Sequence, residues 1–195
     1  MSVDDADAAV LLGRGIVAHL RACGPQASPV SVVCIGSDRS TGDSLGPLVG
    51  TQLAERGLRR EVNLCGTLEH PVHAANLSEY LPRIEDPARS RIVMAVDACL
   101  GRSENVGTAC VKAGPLRPGT GVNKSLPTIG HFHIVGVVNV GGFMEYFVLQ
   151  NTRLNLVVRL ARVIADAILL ALQEYYDARR APVKELPQVA ATRES

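Results

Sequence analysis

VSVVCIGSDRSTGDSLGP, residues 30–47, changes after its seventh residue from a continuous apolar run to a polar loop punctuated by glycine. A short β-branched run without polar alternation is the pattern of a strand covered on both faces, as in a mostly parallel sheet. Leu45 to Arg56 then recovers apolar spacing and reads as a helix, and VNLCG at 62–66 reads as a second strand, which completes a βαβ unit. Downstream, a helix is predicted over 71–81, and RIVMAVDA at 91–98 reads as another buried strand ending on an acid. GTACVKAG (107–114) and HFHIVGVVNV (131–140) read as further strands, joined by the irregular loop PLRPGTGVNKSLPTIG at 115–130. Irregular loops of that length inside compact domains are commonly functional. Upstream, Ala9, Leu12, Ile16, Val17 and Leu20 predict a first helix over 5–23, closed by the Gly24 to Pro29 break.

At the other end, Leu154, Val157, Val158, Ala161, Ala165, Ile168 and Leu169 predict a long helix. Its run LNLVVRLARVIADAILLAL carries Arg159, Arg162 and Asp166, so it reads as a packed helix and not a membrane span. These elements imply a three-layer αβα sandwich on a mostly parallel sheet, with one domain over 1–176 and a disordered tail over 177–195. A net charge of +1 and an aromatic content of 4% give no basis for nucleic acid or an anionic membrane as partner. Five cysteines without a C-x-x-C pair argue against a disulfide framework or zinc knuckle, and an acidic start argues against a signal peptide. A cytoplasmic location is the expectation.

Right-handed crossovers bring consecutive loops to one sheet edge, and a strand order of 2-1-3 puts a ligand crevice between strands 1 and 3. Asp38 and Asp43 from the first loop and Asp97 from the second would meet there. GSDRSTGDS resembles a phosphate loop, but it has one residue too many, and Asp43 stands where the phosphate-binding lysine belongs. Two carboxylates in a crevice can divide acid and base roles, because burial and mutual repulsion hold a proton on one while the other ionises. Simpler readings are a helix N-cap at Asp43 and a turn cap at Asp97. His73, His131 and His133 read as ordinary surface, cap or edge residues or, for His73 and His131, as a third metal ligand. Cys99 lacks a histidine tied to it by spacing and is a weak nucleophile candidate.

The runs CIGSDRSTGDSLGPLVG, GTLEHPVHAANL, VDACLG, PGTGVNKSLPTIG and VNVGGFMEYFVLQNTRL, in order over about residues 30–155, closely resemble the YyaC spore protease family. That family looks related to the germination protease, which degrades small acid-soluble spore proteins, and to the hydrogenase maturation proteases. The resemblance implies a phosphorylase/hydrolase-like αβα fold and a sporulation endopeptidase of the forespore or spore core. It also carries catalytic roles onto Asp43 and Asp97, with Asp38 in reserve. Ser40, Thr41, Glu69, His73 and Asn123 are the candidate substrate contacts within these runs. No cofactor is expected; the alternative is nickel, zinc or manganese on Asp43, Asp97 and His73 or His131. A non-catalytic peptide-binding role is a further alternative. The expected partners are a protein or peptide substrate and, through an edge strand 131–140 and the apolar GGFMEYFVL, a second copy of the chain.

Overall fold

A computed structural model describes residues 1–84, 91–118 and 127–177. Five strands, β1 (Val30–Cys34), β2 (Val62–Cys65), β3 (Ile92–Gly101), β4 (Ala109–Ala113) and β5 (Phe132–Val140), form one sheet in the order β2-β1-β3-β5-β4. All neighbours run parallel except β4, which returns antiparallel along β5. The 2-1-3 order and the mostly parallel sheet are therefore as read from the sequence. Strand 131–140 is not an edge, because β4 covers the side away from β3. The chain can place β4 there because Gly107 and Gly114 bracket it in left-handed conformations.

Helices α1 (Ala8–Cys23), α2 (Leu45–Arg56) and α5 (Leu154–Asp177) cover one face, where Val30, Val32, Met94, Val96, Phe132 and Ile134 meet Leu12, Ile16, Leu53, Leu160 and Ile164. The opposite face is thinner. There α3 (Leu77–Ile84) supplies Leu77 and Ile84, and the roots of the 115–130 loop supply Leu116 and Ile129, against Val33, Ile35, Val93, Ala95 and Val135. Both faces of the sheet are thus buried, which explains the unbroken apolar runs. Leu154 was expected on the packed face of α5 and is instead 59% exposed at its first turn. Among the described residues, no helix is long and apolar enough to cross a membrane. All five thiols are free. The predicted tail at 177–195 lies outside the described residues apart from Asp177, the last residue of α5.

The predicted helix at 71–81 begins later, at Leu77. Val72 is drawn instead into a parallel bridge with Ile35, and Asn76 closes a turn by accepting from the His73 N–H at 2.8 Å and donating to the Pro71 carbonyl at 3.0 Å. Side-chain bonds of this kind compete with helix formation.

Helix α2 lies on the strand ends at backbone contact. A Cβ added to Gly46 would fall 2.0 Å from the Ile35 carbonyl oxygen, and one added to Gly50 would fall 1.8 Å from that of Gly66. Gly46→Ala and Gly50→Ala should each cost about 2 kcal/mol or more, since backbone must move to admit the methyl group. Gly15→Ala, whose Cβ would meet Val111 at an ordinary 3.6 Å within α1, should instead gain about 0.5–1 kcal/mol. Urea unfolding of the three variants would show these opposite signs.

Candidate functional site

Three backbone hydrogen bonds organise the crevice around the tripeptide that follows β1. The Ile35 N–H donates to Val96 O at 2.7 Å, the Gly36 N–H to Val72 O at 2.8 Å, and the Ser37 N–H to Asp43 O at 3.1 Å. Each acceptor is, or immediately precedes, one of Asp97, His73 and Asp43, so one short segment gathers three chemically useful residues. Gly36, at φ +144°, is required here, because its Cβ would lie 2.0 Å from the Asp43 carbonyl oxygen.

Asp43 sits in a 3-10 turn, Gly42–Ser44, ahead of α2. The N-cap position of α2 belongs to Ser44, which makes no side-chain cap bond, so the cap reading of Asp43 falls. Asp97 lies inside β3, opposite Val135, and not in a loop. The turn-cap reading falls with that. The strand outlasts its acid because β5 continues to pair with it as far as Gly101, across a bulge between Cys99 and Leu100.

The two carboxyls are unequal. Burial pushes Asp97 well above the usual carboxylate range and the Asp43 charge pushes it further, while the Ala98 N–H, bonded to Asp97 Oδ1 at 2.8 Å, pulls it back. Burial also raises Asp43, but the Ser37 backbone N–H and the His73 ring oppose it. Burial therefore disfavours the charged form at both acids, and more strongly at Asp97 than at Asp43.

His73 accepts from the Ala75 N–H at Nδ1, at 3.3 Å. Among the described residues, no three His, Cys, Asp or Glu side chains converge to metal-ligand spacing. Asp43, Asp97 and His73 are chemically suitable donors for zinc, nickel or manganese. His131 is at the wrong end of the sheet. It precedes β5 by one residue and lies four residues before Val135, the partner of Asp97, or about 13 Å along the strand. Its Nδ1 accepts from the Val93 N–H at 3.0 Å. His133 is bonded to Gly114 O at 2.9 Å and belongs to an internal strand.

The remaining candidates scatter. Asp38 and Glu69 are exposed on turns, and neither contributes to the shift of either acid. Thr41 serves through its carbonyl, which accepts from Ser44 Oγ at 2.7 Å. Ser40 Oγ is buried without a partner, closed off from solvent, so a ligand reaches it only if the loop opens. Asn123 lies outside the described residues. Burial raises the Cys99 thiol to about 11, which leaves almost no thiolate near neutrality and removes it as a nucleophile.

Sequence reasoning missed the crevice wall formed by α4 (Glu145–Gln150). Leu149 and Thr152 close over Gly42, where a Cβ would meet Leu149 Cδ2 at 2.8 Å and Thr152 Oγ1 at 3.0 Å. Asn139 ties this wall to β5 by donating to Val148 O at 3.3 Å and Thr152 Oγ1 at 3.2 Å. The signal was the run VNVGGFMEYFVLQNT, in which polar Asn139 stands between Val138 and Val140.

The raised Asp97 has a thermodynamic consequence. Below the ordinary carboxylate range of about 4, folded and unfolded chains both hold the proton and the stabilising effect of the neutral form is complete. As pH rises towards the raised folded value, the unfolded chain ionises first, so stability is lost through that window. Asp97→Asn keeps an oxygen for the Ala98 N–H and cannot ionise. It should flatten the decline and be more stable than the parent at pH 8. Denaturant unfolding between pH 4.5 and 8 with parallel slopes for the two proteins would contradict the assignment.

A family model described as "Protein of unknown function (DUF1256)" matches residues 1–167. "Uncharacterized protein YyaC" of Bacillus subtilis (strain 168) is 56% identical over 142 residues, covering 73% of this chain and 69% of that protein. Among solved structures, the [NiFe] hydrogenase maturation protease HycI from Thermococcus kodakarensis KOD1 is similar with a TM-score of 0.47 and 19% identity, over 73% of this chain and 94% of that one. The resemblance carried by the motif runs is thus borne out, and with a match across residues 1–167 the chain belongs to the DUF1256 family.

Proposed function

We propose that the protein is a peptide hydrolase in which Asp43 and Asp97 act as an unequal acid pair. The observation that supports this reading is that the backbone of 35–37 bonds to Asp43 and to the residue before Asp97, while burial raises Asp43 above, and Asp97 well above, the usual carboxylate range. Asp43 takes a proton from water as the water oxygen bonds to the peptide carbonyl carbon, and Asp97 gives its proton to the carbonyl oxygen. In the second step the proton on Asp43 passes to the amide nitrogen, the C–N bond breaks, and a diol hydroxyl returns a proton to Asp97. The Ser37 N–H and the His73 ring oppose the rise that burial imposes on Asp43. No metal takes part in these steps.

The motif resemblance supports a sporulation setting, small acid-soluble spore proteins as substrate and a cytoplasmic, forespore site of action. Asp38 is omitted from the mechanism because it is exposed and does not influence the pair.

Peptide profiling with the purified chain tests the proposal. Asp43→Asn and Asp97→Asn should each lower cleavage by at least about 100-fold. The rate should depend on pH as a bell with both limbs above the ordinary carboxylate range of about 4. Cleavage that persists in both variants, or that requires an added transition metal removed by chelator, would overturn it. Peptide binding with no cleavage at any pH would establish the non-catalytic alternative.

A further inference from the structure

β1 stops pairing with β3 at Cys34 opposite Val96, whereas β5 follows β3 to Gly101. Among the described residues, Ala98 to Gly101 therefore pair with a strand on one side only. The direction of their polar groups follows from alternation along a strand. Val96 O accepts from Ile35, so Ala98 also faces the β1 side; Gly101 O accepts from the Gly141 N–H at 2.8 Å, so Leu100 faces away from β5. Among the described residues, the one bond on this open side is the Ala98 N–H to the Asp97 carboxyl. Open edges are normally blunted by charge or proline, and Ala98-Cys99-Leu100-Gly101 has neither.

An aromatic lip follows the end of β5, level with the last residues of β3. Phe143, Met144, Tyr146 and Phe147 are 84%, 58%, 70% and 56% exposed, a concentration of large apolar side chains within five residues. The lip begins where Gly141 touches Leu100, at 3.2 Å for an added Cβ, and its helix ends where Leu149 covers Gly42 beside Asp43. The lip thus spans from the far end of the open edge to the acid pair.

We propose that the crevice takes its peptide as an added β-strand on Ala98–Gly101, with apolar side chains of that peptide seated on the Phe143–Phe147 lip. Main-chain pairing supplies register past Asp97, and the lip selects an extended, apolar and uncharged segment. The fate of the bound peptide rests on the acid-pair reading; its binding does not.

The Asp43→Asn chain and a short fluorescein-labelled peptide alternating valine with threonine provide the test. Added strands use the peptide N–H groups of every second residue, so N-methylation of one alternate set should abolish binding and methylation of the other should change it by less than about 3-fold. The double variant Phe143→Ser/Phe147→Ser, altered at exposed positions, should keep its unfolding midpoint and bind at least about 10-fold more weakly. Absence of binding at millimolar peptide, equal effects of the two methylated sets, or indifference to the lip variant would each overturn the proposal. So would a chain that dimerises through the lip and binds no peptide, because the occupant would then be a second copy. Cleavage by the parent chain that ignores the methylation pattern would remove strand addition and leave the acid pair standing. Phase-dependent binding without cleavage would do the reverse.

Discussion

The close seating of α2 on the ends of β1 and β2 is the constraint from which the crevice follows. Gly46 and Gly50 let the helix backbone approach Ile35 and Gly66 at distances no side chain would permit, and Gly66 in turn lies against Cys34 O. With α2 so placed, the loop 36–44 has to double back over the end of β1, which is what Gly36 at φ +144° accomplishes. Asp43 then has one position available to it. Large side chains at these glycines would lift the helix, and the loop acid would leave with it.

Given that scaffold, unequal environments and not unequal chemistry divide the two carboxyls. Asp97 is held in a strand whose faces are both covered, so desolvation dominates its behaviour, and its single local donor is the following amide. Asp43 is on a turn with a backbone donor and an imidazole to offset the same penalty. Two identical groups are thereby made different by what surrounds them.

Much of the sheet was legible because covered strands announce themselves as unbroken β-branched runs, and Leu45–Arg56 was bounded correctly by its loop and glycine. The meeting of the first and third strand ends was also legible, since it follows from strand order and crossover hand. Less legible was anything set by a distant partner. RIVMAVDA seemed to finish at its acid, yet β5 carries the strand on to Gly101. His73 and His131 were alternative partners for Asp97, but the strand register puts His131 four residues away from the level of Asp97. Pro71–Asn76 had helical composition and was captured by Ile35 instead. In each case local preference lost to pairing with residues far away in the chain, which a single sequence does not reveal.

The glycine seam has an evolutionary side. Gly36, Gly46, Gly50 and Gly66 are fixed by whether the chain folds, independently of whether any bond is cleaved. A descendant that lost catalysis would keep the seam, and with it a loop of unchanged length and shape. Likeness across this loop consequently reports common ancestry of the scaffold and not the chemistry done beside it.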